Sequence, residues 1–223
     1  MTDVRRLTTQ GLERKQQLLA AAARLFADHG YAETRILDIC REAGVAKGLF
    51  YWYFDTKEAV FRELADDLRL RLRRHQRRAM DRRADPLVQL RQGSEASVRF
   101  MAEHARNFAL LAVENVDRQF VDDIRQGTEV HADDAERLVR RGVEAGLIRD
   151  EDPRLLAYSV VSTVGWFAHF HRTGRLPVNV DEVVAFVGRQ IVCSLAASEE
   201  IARAAMTPGA GAPGSLTHPA AIR

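Results

Sequence analysis

The sequence predicts an all-α protein. Over most of the 223 residues, apolar side chains recur every three to four positions, which is the spacing that places them on one face of a helix. No stretch shows the alternation of apolar and polar residues that a half-buried strand requires. Hydrophobic residues make up 46% of the chain and charged residues 29%, which is the composition of a globular protein with a sizeable core.

The first predicted helix spans about Leu12 to His29, and Gly30 ends it. Glycine is common just after a helix because it adopts the left-handed backbone without a steric penalty. Four apolar residues share the inward face of this helix: Leu18, Ala22, Leu25 and Phe26.

A short second helix is predicted after Thr34. The hydroxyl of Thr34 could accept a hydrogen bond from a free backbone N–H of the first turn, which would make this residue the N-cap. Ile36, Ile39 and Cys40 follow at the spacing of one inward face. Gly44 then ends the helix within a tight turn.

The third predicted helix runs from about Lys47 to Phe54 and is crowded with aromatic residues. Phe50 and Phe54 lie four positions apart and should anchor it in the core. The other faces carry residues that suit a nucleic-acid surface, because lysine and tyrosine bind phosphates and guanine edges and aromatic rings contact sugars and thymine methyl groups; they are Lys47, Tyr51, Trp52 and Tyr53. Two helices joined by a short glycine-containing turn form the helix-turn-helix unit of DNA-binding proteins. Spacing alone leaves an alternative open, since such pairs are common in all-α proteins and aromatic runs often belong to the core.

The exact sequence of this segment favours the DNA-binding alternative. Residues 43–61, AGVAKGLFYWYFDTKEAVF, resemble the motif of the TetR family of bacterial transcriptional regulators. The resemblance extends upstream through residues 18–22, Leu25-Phe26, Gly30-Tyr31 and Thr34, and covers about the first seventy residues. It implies a set of DNA-contacting residues: Thr34, Lys47, Gly48, Leu49, Tyr51, Trp52, Tyr53 and Lys57.

The resemblance also implies a role for most of these positions. The residues of the third helix would face the major groove and its backbone, and Lys57 and Thr34 would touch phosphates. Two positions depart from the family pattern, because members often carry serine in place of Ala46 and threonine in place of Leu49. The first change removes a helix cap, and the second leaves a side chain that either packs or touches a thymine methyl group.

The fourth predicted helix begins near Asp55 or Thr56 and extends to about Met80. The first three helices define a predicted three-helix DNA-binding domain, bounded at residues 11–71 so that it includes the start of the fourth helix, with the helix-turn-helix unit at about 34–54. A helical regulatory and dimerisation domain is predicted at 72–206. The tail at 207–223 is rich in Gly, Pro and Ala and is predicted to be disordered, because it cannot bury enough apolar area.

Five further segments of the second domain are predicted to be helical. One helix starts near Pro86 and is interrupted at Gly93-Ser94, and an apolar segment follows at 98–116. Residues 120–145 are predicted as one or two amphipathic helices. The last two helices are the most apolar: the first starts with Asp152 as N-cap and Pro153 at the first helical position, and the second starts at Asn179.

Residues 153–173 and 180–200 are predicted to form a dimer interface. Their apolar surface covers more than one face and must pack against something, and the resemblance implies a four-helix bundle between two copies. A two-fold dimer would bind an inverted-repeat operator in double-stranded DNA. The alternative is that both helices pack only within one chain.

A ligand site is predicted in the middle of the second domain. Apolar walls with a few polar groups are typical of small-molecule pockets, and seven residues fit this description: Phe100, His104, Phe108, Leu111, Trp166, Phe170 and His171. The expected effector is small and apolar, and Arg106 and Arg118 suggest that it carries an anionic group. The alternative is that these residues form ordinary core.

Composition restricts the remaining function classes. The net charge of +2, from 33 basic and 31 acidic residues, would not by itself indicate a DNA-binding protein. Cys40 and Cys193 lie in apolar helical patterns and are predicted to be buried, and neither a metal-ligand spacing nor a nucleophile motif is present, so no cofactor and no enzyme activity are expected. No signal peptide and no membrane span are predicted, which favours the cytoplasm. The sequence thus predicts a ligand-responsive repressor, with an activator of the same family, an architectural DNA-binding protein and a helical enzyme as alternatives.

Overall fold

The computed structural model describes residues 9–110 and 120–207. Within these ranges the chain forms ten helices and no β-strand, so the predicted all-α fold is confirmed. The helices are α1 Thr9–His29, α2 Ile36–Glu42, α3 Lys47–Tyr53, α4 Lys57–Ala79, α5 Pro86–Glu103, α6 Ala105–Leu110, α7 Val121–Glu144, α8 Pro153–Arg172, α9 Val180–Leu195 and α10 Glu199–Met206. None of the helices in the described residues combines the length and the apolar character needed to cross a bilayer.

The chain folds into two compact units. The first unit contains the described residues of Met1–Leu70 and His104–Arg125, and the second contains those of Arg71–Glu103 and Gln126–Arg223. Helices α4 and α7 contribute residues to both units. One domain is predicted from the sequence for all of residues 72–206, whereas the structure groups the described part of His104–Arg125 with the N-terminal helices.

The core of the first unit contains an aromatic cluster of Phe26, Tyr31, Phe61 and Phe120. The rings of Phe61 and Phe120 stack with centroids 4.2 Å apart, and Tyr31 meets Phe120 edge-on at 4.9 Å. Phe120 is only 1% exposed although it lies almost sixty residues after Phe61 in the chain. Such aromatic pairs contribute beyond the area they bury, so residues outside the N-terminal seventy complete this core.

The start of α2 differs from the prediction. Thr34 is 3% exposed, and its hydroxyl donates to the carbonyl of Gly30 at 2.8 Å. The N-cap is Arg35, whose backbone N–H donates to Asp38 at 3.2 Å. The prediction that Thr34 caps α2 is therefore wrong, because a free carbonyl at the end of α1 takes its hydroxyl. The predicted glycine stops at Gly30 and Gly44 are confirmed by their φ angles of 84° and 65°.

Helix α5 lies at the centre of the second unit and packs against α8 and α9. It continues through Gly93 and Ser94, so the predicted interruption there is wrong. A Cβ atom at position 93 would lie 3.3 Å from the sulfur of Met80, and the hydroxyl of Ser97 donates to the Gly93 carbonyl at 2.6 Å. Close packing against Met80, the residue after α4, thus favours a small residue inside the helix.

The last helices also differ from the prediction at their ends. Helix α9 stops at Leu195 instead of near residue 200, and α10 follows with Ser198 as its N-cap, which accepts from the backbone N–H of Ile201 at 3.3 Å. The predicted caps of α8 and α9 are confirmed, because Asp152 and Asn179 both accept hydrogen bonds from the first turn of their helices.

The two cysteines have different environments. Cys40 is buried as predicted, and burial raises the pKa of its thiol. Cys193 is exposed, so the prediction that it is buried is wrong. It lies on the outward side of α9, whose inward side is formed by neighbours such as Ile191 and Val192.

Replacing Gly142 by alanine should destabilise the second unit. A Cβ atom at this position of α7 would lie 2.7 Å from Cγ1 and 3.3 Å from Cβ of Ile148, which is itself buried. Overpacking of this kind costs about 1 to 3 kcal/mol. Gly165→Ala in α8 is the matched control, because the same added methyl group meets nothing within 4 Å. Equal unfolding free energies for the two variants in urea titrations would contradict the expected clash.

Candidate functional site

Helix α3 presents an exposed face of unusual composition. Phe50 is fully buried and holds the helix in the core. Tyr51 and Trp52 leave 46% and 48% of their surface exposed. Lys47 and Gly48, one turn earlier, are exposed as well. Two adjacent half-exposed aromatic rings beside a lysine and a glycine are typical of a binding surface.

Lys47 is the lysine of this unit that is free to meet a ligand. Only three lysines occur in the sequence. Lys15 pairs with Glu63 at 2.7 Å, and the ammonium group of Lys57 is bound by the chain itself, as described below. The ammonium group of Lys47 is exposed and lies 5.7 Å from the centre of the Tyr51 ring. Lysine and tyrosine thus form one polar-aromatic patch at the start of α3.

The N-terminus of α3 lacks a side-chain cap. Ala46 occupies the cap position in an extended conformation and makes no side-chain hydrogen bond. The sequence analysis expected this loss from the alanine at a position where a hydroxyl is common. The first backbone N–H groups of α3 are therefore not satisfied by a cap side chain.

Lys57 binds backbone carbonyls of the loop between α1 and α2. Its ammonium group donates to the carbonyls of Tyr31, Thr34 and Ala32 at 2.7, 2.9 and 3.3 Å. The same nitrogen lies 4.2 Å from the centre of the Tyr31 ring. An ammonium group has three donors, and in this structure all three are directed at carbonyls of the loop; the phosphate contact of Lys57 stays a prediction.

Tyr31 and Glu58 form a second link between the same loop and α4. The Tyr31 hydroxyl donates to Glu58 at 2.8 Å. The backbone N–H of Glu58 itself, and after it the Tyr31 hydroxyl, hold the pKa of the Glu58 carboxyl below its ordinary value. A carboxylate in the first turn of a helix is also favoured by the helix dipole. The loop is thus fixed to the start of α4 by both a cation and an anion.

The predicted DNA-contacting residues therefore fall into three groups. Lys47, Gly48, Tyr51 and Trp52 share the exposed face of α3. Leu49 and Tyr53 are half-buried, and the Tyr53 ring meets that of Trp52 edge-on at 4.5 Å. The third group, Thr34 and Lys57, points inward, and both side chains donate to backbone carbonyls. Their phosphate contacts stay predictions. DNA contact by the residues of α3 stays a prediction.

The second unit contains a cavity of about 620 Å³. It lies among α4, α5, α7 and α8, and its volume is within the range of small-molecule sites. Its apolar wall includes Leu72, Leu90, Met101, Leu138, Val160 and Val164. A cavity of this size and composition can hold a small apolar molecule.

The polar lining of the cavity is dominated by arginine. Arg73, Arg77, Arg137 and Arg141 all line it, whereas Asp134 is the carboxylate in the lining. Arg73 binds Asp134 through two hydrogen bonds, with Nε–Oδ2 at 2.7 Å and Nη2–Oδ1 at 3.0 Å. The cavity therefore carries an excess of positive charge.

The predicted ligand residues do not line this cavity. Phe100 is buried and packs against the His75 ring with centroids 5.3 Å apart, and Trp166 is 58% exposed. Phe170 and His171 are half-buried, His104 and Phe108 belong to the first unit, and Leu111 lies outside the described residues. On α5 the small residues Gly93, Ser94 and Ser97 face the cavity in place of Phe100. Sequence reasoning missed them because it searched for aromatic walls.

Replacing Lys57 by methionine should destabilise the first unit. The change keeps the apolar stem and removes the ammonium group from three carbonyls, and a hydrogen bond to a charged group contributes about 1.5 to 3 kcal/mol. Lys15→Met is the matched control, since it removes a lysine in an ion pair near the surface, where about 1 kcal/mol or less is expected. Urea unfolding measures both. A loss for Lys57→Met no larger than the control would show that the carbonyl contacts are unimportant.

Comparisons with known proteins agree with this arrangement. A family model described as bacterial regulatory proteins, tetR family, matches residues 18–64, and a model described as tetracyclin repressor-like, C-terminal domain, matches residues 83–187. The probable acrEF/envCD operon repressor of Escherichia coli (strain K12) is 30% identical over 112 residues, which are 49% of this chain and 50% of that protein. The chain thus spans about half the length of this curated relative.

Two solved structures have a similar fold. The SmeT–triclosan complex gives a TM-score of 0.72 at 22% identity and covers 94% of this chain and 100% of that one. NalD, the secondary repressor of the MexAB-OprM multidrug efflux pump in Pseudomonas aeruginosa, gives 0.71 at 21% identity and covers 85% and 98%. With family models that match both the helix-turn-helix segment and the C-terminal helices, the chain belongs to the TetR family of bacterial regulatory proteins.

Proposed function

We propose that the chain is a sequence-specific DNA-binding transcriptional repressor that is released from its operator by a small apolar effector with an anionic group. The observation that carries this proposal is the exposed face of α3. There Tyr51 and Trp52 are half exposed beside Lys47, on a helix whose inward side is fixed by buried Phe50. A rigid helix with an exposed polar-aromatic face is suited to the major groove.

Each exposed residue of α3 has a distinct chemical use on DNA. Lys47 can donate to a guanine edge or to a phosphate, and Tyr51 can donate its hydroxyl to a phosphate oxygen. The Trp52 ring offers apolar area to a sugar or a thymine methyl group. Gly48 has no side chain, and a Cβ atom there would meet nothing in the protein, so this position permits close approach of the DNA backbone.

The operator is expected to be an inverted repeat bound by a homodimer. Helices α8 and α9 leave large apolar side chains exposed, with Leu155 and Trp166 on α8 and Phe186 on α9. The ring of Phe186 lies 5.1 Å from that of Phe167, so both helices contribute to one surface. Covering this surface with a second copy would place two α3 helices for two half-sites.

The cavity of the second unit is the proposed effector site. Its apolar wall favours an apolar molecule, and its excess of arginines favours an anionic group on that molecule. The structure of similar fold named above holds a small molecule, triclosan. Ligand binding can change operator affinity only if the ligand prefers one conformation of the protein over the other.

Repression is favoured over activation by the relatives. The Escherichia coli relative and NalD are both described as repressors. The alternative is an activator with the same DNA-binding unit. Selection of bound duplexes from a random DNA library, followed by transcription from a promoter that carries the selected site, distinguishes the two. Failure to enrich any inverted repeat would contradict the proposed function itself.

Replacing Lys47 by alanine should lower the salt dependence of operator binding. Loss of one phosphate contact reduces the slope of log affinity against log salt concentration by about 1. Titration of the selected duplex at several salt concentrations measures the slope. Lys15→Ala is the control, because Lys15 is held by Glu63 and should leave the slope unchanged. Equal slopes for the wild type and Lys47→Ala would remove Lys47 from the interface.

Replacing Phe186 by arginine should convert the dimer into a monomer. The change places a charge in an apolar contact that the second copy would bury, and this desolvation is unfavourable. Light scattering at micromolar concentration gives the mass. Leu12→Arg is the control, because Leu12 is an exposed leucine on α1, outside α8 and α9. A wild-type protein that is already monomeric would contradict the dimer.

A further inference from the structure

The cavity of the second unit contains a carboxylate of the protein itself. Asp134 of α7 accepts two hydrogen bonds from Arg73 of α4, at 2.7 and 3.0 Å, and one from Arg137. All three residues line the cavity. A carboxylate held by two guanidinium groups at the edge of an apolar cavity is also the geometry in which a protein binds a carboxylate ligand.

The charges around this carboxylate are not balanced. Arg77 and Arg141 also line the cavity, and neither has an ion-pair partner among the described residues. Asp134 is the single carboxylate among the residues that line it. The positive charge of the arginines that line the cavity therefore exceeds the negative charge of Asp134.

We propose that Asp134 occupies the place of the effector's carboxylate, and that a carboxylate-bearing amphiphile displaces it from Arg73 and Arg137. This inference rests on the proposed function, since it specifies the chemistry of the same effector site. The anionic group of the ligand replaces the carboxylate of Asp134 in the arginine pair. The hydrocarbon part then lies against the apolar wall formed by Leu90, Leu138 and Val164.

The exchange is energetically feasible because the pair is only partly buried. The side chains of Arg73 and Asp134 are 31% and 32% exposed, so water screens their attraction and Asp134 can turn to solvent when it is displaced. The exchange replaces one carboxylate with another, so Arg73 and Arg137 both keep a partner. The ligand adds the burial of its apolar tail, which contributes about 0.8 kcal/mol for each buried CH₂ group.

The exchange would also change how two helices of the second unit are connected. Arg73 belongs to α4 and Asp134 to α7, so their two hydrogen bonds join these helices. When the ligand takes the guanidinium group of Arg73, this link between the helices is lost. The same helix α4 begins at Lys57, which fixes the loop before α2. A carboxylate in the cavity would therefore change a contact of α4, which contributes residues to both units.

The test compares dodecanoate with 1-dodecanol, two probes of equal chain length of which only the first is anionic. Calorimetric titration of the full-length protein, below the micelle-forming range, gives the affinity of each probe. Asp134→Asn keeps the shape of the side chain but removes the charge that competes with dodecanoate for Arg73 and Arg137. Dodecanoate should therefore bind about tenfold more tightly to this variant, because its hydrogen bonds to the arginines are charge-assisted. The affinity for 1-dodecanol should change less than about twofold, since no charge is exchanged.

The matched control is Asp133→Asn. Asp133 is the adjacent carboxylate of α7, but it binds Arg154 at 2.5 Å and does not line the cavity. Asp133→Asn causes the same change in net charge as Asp134→Asn. An equal gain in dodecanoate affinity in both variants would show that long-range electrostatics explains the gain, and this would overturn the inference. Arg73→Gln is a second variant in which dodecanoate should bind about tenfold more weakly and 1-dodecanol unchanged.

The possible outcomes separate this inference from the proposed function. If 1-dodecanol binds and dissociates the protein from the operator while dodecanoate does not bind, the inference is overturned. A repressor that responds to a neutral effector would then remain. Unchanged dodecanoate affinity in both Asp134→Asn and Arg73→Gln also overturns it. If neither probe binds although the operator is bound, both the inference and the effector part of the proposed function fail, and DNA binding remains.

Discussion

The position of α3 depends on how one ammonium group closes the loop between α1 and α2. The carbonyls that follow the end of a helix lack intrahelical donors and need other partners. Lys57 supplies a donor to three of them, on Tyr31, Ala32 and Thr34. Because α2 starts two residues after Thr34, these contacts fix the loop directly before α2, and α3 follows α2 after the Gly44 turn. The segment that leads into α2 and α3 is therefore held by a residue at the start of α4.

The aromatic cluster adds a second constraint to the same loop. Tyr31 donates to Glu58, lies under the Lys57 ammonium group and meets Phe61 and Phe120 edge-on. Phe120 enters this core from a part of the chain that the C-terminal family model covers. The N-terminal helices thus complete their core with a residue that follows α6. A perturbation at Phe120 would reach the loop through Tyr31 without any contact to α3.

Features that depend only on neighbouring residues could be predicted from the sequence. The glycine stops at Gly30 and Gly44, the caps Asp152 and Asn179 and the exposed face of α3 depend on residues close in sequence. The contacts of Thr34 and Lys57 with backbone carbonyls could not be predicted in this way, because the position of those carbonyls depends on the folded conformation of the loop. The cavity was missed for a related reason. Small residues such as Ser94 leave space only where a second helix fails to fill it, and this depends on tertiary packing.

Helix α4 is held by polar groups in both units, by Lys57 in the first and by Arg73 in the second. Apolar packing is difficult to exchange for a ligand, because side chains that leave a core open a cavity. An ion pair differs, since another carboxylate can replace Asp134 without leaving an unpaired charge. Helix α4 carries buried apolar side chains such as Phe61 and Leu72 and still places an arginine at the cavity. A ligand exchange at this ion pair would leave that apolar core intact.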